Sequence, residues 1–336
     1  MKYIFFAIVL SFLLGACTTT SFVLVDVLKP ADITFSEKTK NKNILIVDNA
    51  AISTNDRVLL KEYVTVLEDS VRKIITHSFL QFMNEEQSFS SVKALDKTTN
   101  KGYPLSLPTV KNICSEESAD ILISLDSIKI GYDTKYEFDV ENGYTVSDYV
   151  RLSGYISGAL SVYDNSGRQI GKSIAYKEEL YSKIGFGFDP QEYAKEETSK
   201  LISELSILTA DRLTGIFIPS WRTQDRYFFS NNSSEMKQAA NYIEDGEWTA
   251  AANIWKKQYQ IESNKTRKGQ LAFNIALANE CVDNISAASE WIDKASTILS
   301  ETKNTKLQER ITEYKKAIDE RTSNAKILKR QFELLK

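Results

Sequence analysis

The chain has 336 residues, which at about 150 residues per domain allows two domains, each large enough to bury a hydrophobic core. Its 42 Lys and Arg residues against 45 Asp and Glu residues give a formal charge of −3, which argues against nucleic-acid binding because phosphate recognition depends on clustered positive charge. One histidine and three cysteines are too few for a multi-histidine zinc site, a four-thiolate site or a dense disulfide framework. We therefore expect no metal ion and no cofactor.

Residues 1–16 are predicted to form a secretory signal peptide. A single basic residue precedes an apolar run that is too short for a membrane-spanning helix of about 20 residues. The run ends in Leu14-Gly15-Ala16-Cys17, which resembles the bacterial lipobox, a motif cleaved just before its cysteine. That resemblance implies that Cys17 carries three acyl chains such as palmitate, enough for stable anchoring in a membrane. The alternative is an ordinary signal peptide with an unrelated cysteine at its end.

The residue after Cys17 bears on the destination of a lipoprotein. An aspartate there would favour retention in the inner membrane, whereas this chain has Thr18. We therefore expect the outer membrane, and the absence of an acidic run after Cys17 favours the periplasmic side over the cell surface. Residues 17–23 are predicted to be the lipidated tether.

Residues 24–218 are predicted to form an α+β or α/β domain. Strand patterns at residues 22–28 and 43–48 precede a helical pattern at 53–83. A second helix is expected near 107–117, followed by a strand in which the apolar alternation slips at Asp126–Ser127, as it does at a β-bulge.

The strongest strand signal is the alternation of apolar and polar residues from Val150 to Val162. A turn at 164–167 and a returning strand predict a long antiparallel hairpin in a mixed sheet packed on helices. Gly154 and Gly158 lie on the apolar face of this strand, where we expect them to make room for a large neighbouring group. A long helix is expected from Pro190.

Residues 219–231 are predicted to be an aromatic linker. Pro219, Trp221, Arg226 and Tyr227 bring aromatic area and a cation together in this short segment. Because Trp, Tyr and Arg dominate binding hot spots, the segment is a candidate recognition patch. The favoured interpretation is a hydrophobic contact between the two domains.

Residues 232–336 are predicted to form an all-α helical-repeat domain. The spacing of small and aromatic residues around Ala251 resembles a tetratricopeptide repeat, and a second copy places Ala288 in the equivalent position. The resemblance implies paired helices, with the last helix as a cap. We expect the neighbourhood of Trp248, Trp255 and Trp291 to form a groove for an extended peptide or a partner helix.

The remaining reactive side chains suggest no catalytic site. His77 is the only histidine for a Ser-His-Asp arrangement, but it lies on the flank of a predicted helix, where a packing or surface role is favoured. Cys114 and Cys281 are interpreted as two buried free thiols, with a disulfide between the domains as the alternative. We predict no catalytic residue.

Several short motifs together resemble a family of Bacteroidota lipoproteins of unknown function that carry a tetratricopeptide-like tail. These motifs are the lipobox, Leu28-Lys29-Pro30-Ala31-Asp32-Ile33-Thr34, Pro219-Ser220-Trp221 with Arg226-Tyr227-Phe228, and Gly246-Glu247-Trp248 with Ala251 and Trp255. The resemblance implies no substrate and no catalytic residue.

The leading functional prediction is a non-enzymatic protein-binding or scaffolding module of the cell envelope. It would be held to the membrane through Cys17 and would bind a protein or peptide, but no nucleic acid. The alternative is an envelope hydrolase that uses carboxylates of the α/β domain to cleave a glycan or a peptide.

Overall fold

The computed structural model describes residues 19–35, 39–55, 61–95, 104–141, 144–185 and 190–335. The predicted signal peptide and the lipobox residues Leu14, Gly15, Ala16 and Cys17 lie outside these ranges. The chain divides into two compact units. We call them the α/β unit, residues 30–220 with 330–335, and the helical unit, residues 19–29 with 221–329.

The helices and strands alternate in the first part of the chain, whereas the last part is helical. In chain order the elements are β1 (Thr19–Lys29), β2 (Asn43–Asn55), α1 (Lys61–Glu85), β3 (Ser91–Leu95), α2 (Leu107–Glu117), β4 (Ile121–Glu141), β5 (Tyr144–Asp164), β6 (Ile174–Gly185), α3 (Pro190–Phe217), β7 (Ser220–Ser230), α4 (Ser234–Glu244), α5 (Trp248–Ile261), α6 (Lys265–Cys281), α7 (Ile285–Ser300) and α8 (Thr305–Leu335). The predicted fold class, a mixed sheet packed on helices followed by a helical region, is confirmed.

The sheet of the α/β unit has the order β3-β2-β4-β5-β6. Strand β2 runs parallel to β3 and β4, whereas β5 runs antiparallel to β4 and β6. The predicted β5–β6 hairpin is present. A second and longer hairpin joins β4 to β5, and its pairing extends from Ile121 opposite Asp164 to Glu141 opposite Tyr144.

Both faces of the central strands are covered by helices. On one face, β2, β4 and β5 pack against apolar residues of α1 and α3, among them Ile75 and Leu205. On the other face, Val110 and Cys114 of α2 pack against Leu45 and Leu122. A strand that is buried on both faces carries a continuous apolar run, which explains why residues 44–47 of β2 do not alternate.

The predicted β-bulge lies at Asp126. The register of β4 slips between Leu125 and Ser127 against β5, and the register of β2 slips at the same level. Asp126 is buried there and accepts hydrogen bonds from the Ser124 hydroxyl at 2.7 Å and from the Ser161 hydroxyl at 2.6 Å. These bonds satisfy a carboxylate that the interrupted strand leaves inside the unit.

The two glycines of β5 make room for large groups, as the sequence predicts. At Gly158, an added Cβ would lie 2.0 Å from the carbonyl oxygen of Ser127 and 2.4 Å from the hydroxyl of Tyr176. That hydroxyl donates a 2.9 Å hydrogen bond to the same carbonyl. At Gly154, the nearest atoms are the ends of the Leu201 and Ile202 side chains of α3, at 3.2 Å.

The helical unit contains consecutive helices that pack as hairpins. Ala239 and Ala251 in α4 and α5, and their counterparts Ala276 and Ala288 in α6 and α7, are fully buried, so small residues lie where the helices cross. The turn between α4 and α5 has Gly246 at a φ of 76°, and the turn between α6 and α7 uses Asp283 at 56°. Aspartate tolerates this left-handed conformation better than most residues.

Most of the predicted aromatic linker forms strand β7, and from Trp221 onward it belongs to the helical unit. It pairs with β1 in a two-stranded sheet, which we call the ribbon. Val25 and Val27 of β1 are buried and pack in the same hydrophobic core as Phe228 and Phe229 of β7. Within the described ranges, no helix combines the length and the apolar character needed to cross a membrane.

We expect the substitution Gly158→Ala to lower the free energy of unfolding by about 2 kcal/mol or more, because it overpacks the site and displaces the Tyr176 hydrogen bond. Urea denaturation monitored by circular dichroism measures this change. Gly154→Ala is the matched control and should change stability by less than about 1 kcal/mol, since flexible side-chain ends can yield to the new methyl group. Equal unfolding midpoints for the two variants would contradict the assignment.

Candidate functional site

The tryptophans predicted to line a groove are not equivalent in the structure. Trp255 is fully buried in the core of the helical unit, so it contributes no surface to a groove. Trp248 and Trp291 are partly buried at the edge of this core, and the Trp291 ring packs edge-on against Tyr259 with 5.1 Å between the ring centroids. Trp221 is 66% exposed.

Arg226 and Tyr227 are held inside the helical unit. The ring of Tyr227 stacks on Phe273 of α6 with 5.0 Å between centroids. The next strand residues are fixed through the main chain, because the side chain of Asn274 accepts from the Phe229 N–H at 2.8 Å and donates to the Phe229 carbonyl at 2.7 Å. Strand β7 is therefore packed against helix α6 at its carboxyl-terminal half.

Arg226 also binds a buried carboxylate, Glu280 of α6. Its Nε and Nη2 atoms donate to the two Glu280 oxygens at 3.0 and 2.9 Å, so the pair is bidentate. The Tyr314 hydroxyl donates at 2.7 Å, and Arg321 approaches with Nη1 at 3.3 Å. Glu280 is 1% exposed. We call these four residues the Glu280 network.

The electrostatics of this network oppose a catalytic role. Burial by itself raises the pKa of Glu280, but the hydrogen bonds and charge of Arg226, the hydrogen bond from Tyr314 and the charge of Arg321 lower it below its ordinary value. Burial and the neighbouring carboxylate raise the pKa of Tyr314 well above its usual range. A carboxylate with a lowered pKa is a weak general base near neutral pH, so the network has a structural role.

A groove with a volume of about 920 Å³ lies beside helix α1 in the α/β unit, and we call it the α1 groove. The described residues that line it are Asp48, Asp69, Arg72, Lys73, Ile74, Thr76, His77, Ser78, Leu80 and Ala94. They come from α1, from the central strand β2 and from β3, which lies at the edge of the sheet. The lining therefore combines both signs of charge with apolar side chains.

The floor of the α1 groove is fixed by Arg72 and Asp48. The Asp48 carboxylate is buried, accepts from the Ala50 N–H at 3.1 Å and lies 3.5 Å from Arg72 Nε. Arg72 Nη2 donates to the Ala50 carbonyl at 3.0 Å. Arg72 thus covers the irregular part of β2, where the register shifts.

Other groups of the α1 groove are available to a ligand. Lys73 and His77 are exposed, one helical turn apart on α1. The hydroxyl of Thr76 is shielded from solvent and has no hydrogen-bond partner among the described residues. His77, predicted to be a packing or surface residue, is at the surface and on the wall of this groove.

A second cavity lies in the helical unit but is smaller. It has a volume of about 200 Å³ and is lined by polar side chains of α4, α5 and α6, including Glu262 and Arg267, together with the end of β7. Among the described residues, no group of His, Cys, Asp and Glu side chains is arranged to hold a metal ion. Cys114 and Cys281 are both free thiols.

Sequence reasoning found Arg226 but missed the residues that bind it. Glu280 lies 54 positions from Arg226, so no local motif joins them. A usable signal was present in α6, where residues 271–278 are apolar around the whole helix except for Asn274. A polar residue on a helix that is buried all round must find a partner, and Asn274 and Glu280 both do so.

Comparison with known families covers both units. One model, "Domain of unknown function (DUF8603)", matches residues 41–229, which is more than half of the chain. The chain belongs to the DUF8603 family. A second model, "Domain of unknown function (DUF6340)", matches residues 237–320.

Comparison with individual proteins gives distant likenesses. No curated protein matches the chain. A homolog of neuraminyllactose-binding hemagglutinin from Helicobacter pylori is 14% identical, with a TM-score of 0.29, and the match covers 54% of this chain and 88% of that one. A minor lipoprotein from Acinetobacter baumannii is 8% identical, with a TM-score of 0.22, and the match covers 53% of this chain and 94% of that one. Neither likeness bears on what this DUF8603 member binds.

We expect Glu280→Gln to lower the free energy of unfolding by about 3 kcal/mol at pH 7, because it leaves the largely buried guanidinium of Arg226 without its counter-ion and removes one of the two carboxylates that pair with Arg321. Urea denaturation measures the loss. Glu301→Gln is the control, since it breaks the exposed Glu301–Lys265 pair, which solvent screens, and should leave the free energy of unfolding nearly unchanged. Equal losses for the two variants would contradict a structural role for the Glu280 network.

The same variant should change the pH dependence of stability. The pKa of Glu280 is lower in the folded than in the unfolded protein. The contribution of Glu280 to stability is therefore fully present above its pKa in the unfolded protein, about 4.3. It is lost as the pH falls through the lower pKa of the folded protein. Between pH 5 and the acid transition, the wild-type protein should lose more stability than Glu280→Gln, as urea titrations at successive pH values would report. Parallel pH profiles would argue against this linkage.

Proposed function

We propose that this protein is a lipoprotein of the outer membrane, anchored through Cys17 with its folded part in the periplasm, that binds a protein or peptide without catalysing a reaction. The lipobox Leu14-Gly15-Ala16-Cys17 and the following Thr18 support the anchor and its destination. The proposal also places the protein among the Bacteroidota lipoproteins with a tetratricopeptide-like tail. The buried alanines of the helical unit and the left-handed turns at Gly246 and Asp283 support the tetratricopeptide-like tail.

The observation that carries the binding role is the α1 groove beside an edge strand. Strand β3 pairs with β2 on one side and ends the sheet of the described strands on the other. An extended peptide can add to such an edge through main-chain hydrogen bonds, while side chains from a neighbouring helix select its sequence. Helix α1 supplies the exposed side chains of Lys73 and His77 for that selection.

The lining of the α1 groove suits a peptide better than a single charged ligand. Asp69 and Lys73 place opposite charges on its rim, and Leu80 and Ala94 add apolar surface. Mixed polarity of this kind matches a peptide, which carries amide groups, charges and apolar side chains together. The volume of about 920 Å³ falls within the range of ligand pockets.

The rival activity, a carboxylate-dependent hydrolase, finds less support in the α/β unit. Such an enzyme needs two carboxyl groups that can exchange protons with a substrate. Asp48, one of the two acids among the described residues that line the α1 groove, is buried, accepts from the Ala50 N–H and lies close to Arg72. Asp126 is buried and accepts from two serine hydroxyls. These carboxylates are engaged in holding the sheet together.

We expect Cys17→Ala to abolish membrane fractionation of the protein, because the variant cannot be acylated at this position. Fractionation of envelopes followed by immunoblotting measures the distribution. Cys114→Ala is the control, as it removes a thiol from the α/β core and leaves the lipobox intact. If Cys17→Ala sediments with the outer membrane like the wild-type protein, the proposed anchor is wrong.

We expect a photo-crosslinking amino acid at position 77 to form discrete protein adducts in living cells, because His77 lines the α1 groove. The same label at position 111 is the matched control, since Lys111 is exposed on α2, outside the groove lining. Immunoblots read out the adducts, and Lys73→Glu should weaken the position-77 adduct at least fivefold.

Two outcomes would contradict the binding role of this groove. Adducts at position 111 of the same mass and intensity as those at 77 would mean that contact is unspecific. No adduct at position 77, together with cleavage of an envelope glycan or peptide by the purified protein, would favour the hydrolase instead.

A further inference from the structure

We propose that the outer face of the ribbon contacts the phospholipid surface in which Cys17 is anchored. We define this face by the side chains of Phe22, Leu24 and Trp221. The inference rests on the proposed lipidation of Cys17 and adds to it a second, structured contact with the same membrane.

The ribbon separates apolar side chains onto two faces with opposite environments. Along β1, Val25 and Val27 are 7% and 1% exposed and pack in the core of the helical unit. Their neighbours Phe22 and Leu24 are 78% and 68% exposed. Because side chains alternate along a strand, Phe22 and Leu24 point away from the helices.

The exposed side of β7 continues the same face. The Thr223 hydroxyl donates a 2.7 Å hydrogen bond to the Asp26 carboxylate, so the outward side chains of the two strands lie side by side. Trp221 has the same alternation phase as Thr223 and is 66% exposed. Exposing several large apolar side chains to water on one face is unfavourable in free energy, so such a face is typical of a surface that a partner covers.

The distance along the chain identifies that partner. Phe22 follows Cys17 by five residues, and an extended chain spans at most about 3.6 Å per residue. Phe22 therefore lies within about 18 Å of the acylated residue in any conformation of the tether. When the acyl chains are inserted, Cys17 itself lies at the lipid surface, so this face is within reach of that surface.

The chemistry of the face selects the kind of lipid. Tryptophan and phenylalanine favour the boundary between headgroups and acyl chains, where an aromatic ring is partly dehydrated. Asp26 and Asp225 are exposed on these strands, and their charge opposes an anionic surface. A zwitterionic phospholipid surface fits both properties.

The test uses the full lipidated protein reconstituted into vesicles of phosphatidylcholine or of its brominated analogue. Bromine quenches tryptophan fluorescence only at short range, so it reports rings that touch the acyl region. We expect brominated vesicles to quench the wild-type protein and Trp221→Phe to lose at least half of that quenching. The reason is that Trp221 is 66% exposed, whereas Trp255 is buried in the core and Trp248 and Trp291 are partly buried against it. The double variant Phe22→Ser with Leu24→Ser should also lose about half, since Trp221 would then contact the lipid less often.

Ile261→Ser is the matched control, because Ile261 is 76% exposed on α5 and lies outside the ribbon. It should keep the wild-type quenching, and circular dichroism establishes that every variant is folded. Mass spectrometry of the mature protein measures the acyl chains on Cys17 independently.

Each contrary result has its own meaning. An acylated protein without quenching, or with quenching that Trp221→Phe leaves unchanged, would overturn the membrane contact and leave the lipid anchor standing. A protein without acyl chains would overturn both the proposed function and this inference. Protein adducts from a photo-crosslinker at position 24, combined with unquenched vesicles, would assign the face to a protein partner and overturn the inference.

Discussion

The helical unit depends on one buried carboxylate. Glu280 would be costly to bury alone, and it stays charged because Arg226 of β7 and Arg321 of α8 approach it from separate parts of the chain. The Tyr314 hydroxyl completes the shell. One side chain of α6 thereby joins a strand and the last helix to the helical hairpins. Along the first half of strand β7, every second side chain is exposed to solvent. The Arg226–Glu280 pair and the side chain of Asn274 hold this strand in place.

The α/β unit is organised by a different constraint, the burial of its central strands on both faces. Helices α1 and α3 cover one face, α2 covers the other, and the bulge at Asp126 places a carboxylate between them. The hydroxyl groups of Ser124 and Ser161 offset the free-energy cost of burying the Asp126 carboxylate by donating hydrogen bonds to it. The α1 groove lies beside α1, at the edge of the sheet that β3 forms. The proposed peptide site therefore follows from where the sheet stops.

Local patterns in the sequence predicted those features of the fold that depend on neighbouring residues. The alternation in β5 predicted a strand, and the slip of the apolar alternation at Asp126 in β4 predicted the bulge. Gly158 predicted a large neighbouring group, which the structure shows to be Tyr176. The alanine spacing likewise predicted helical hairpins. The hairpin of β4 with β5 was not predicted, and β4 extends past the predicted strand to Glu141. An apolar period of 2 weakens beyond residue 130, and there the pairing with β5 maintains the strand.

The sequence by itself determined the fold class, the paired helices of the last third and a lipobox motif, because each is written in neighbouring residues. Only the tertiary structure decided that residues 221–230 lie in a strand of the helical unit, that Trp255 is in its core, and that Phe22 and Leu24 face outward. These outcomes depend on partners far along the chain, as Arg226 depends on Glu280 and Asp26 on Thr223. A pattern read along one segment specifies which side of an element is apolar, whereas the packing of distant segments decides which apolar side is covered.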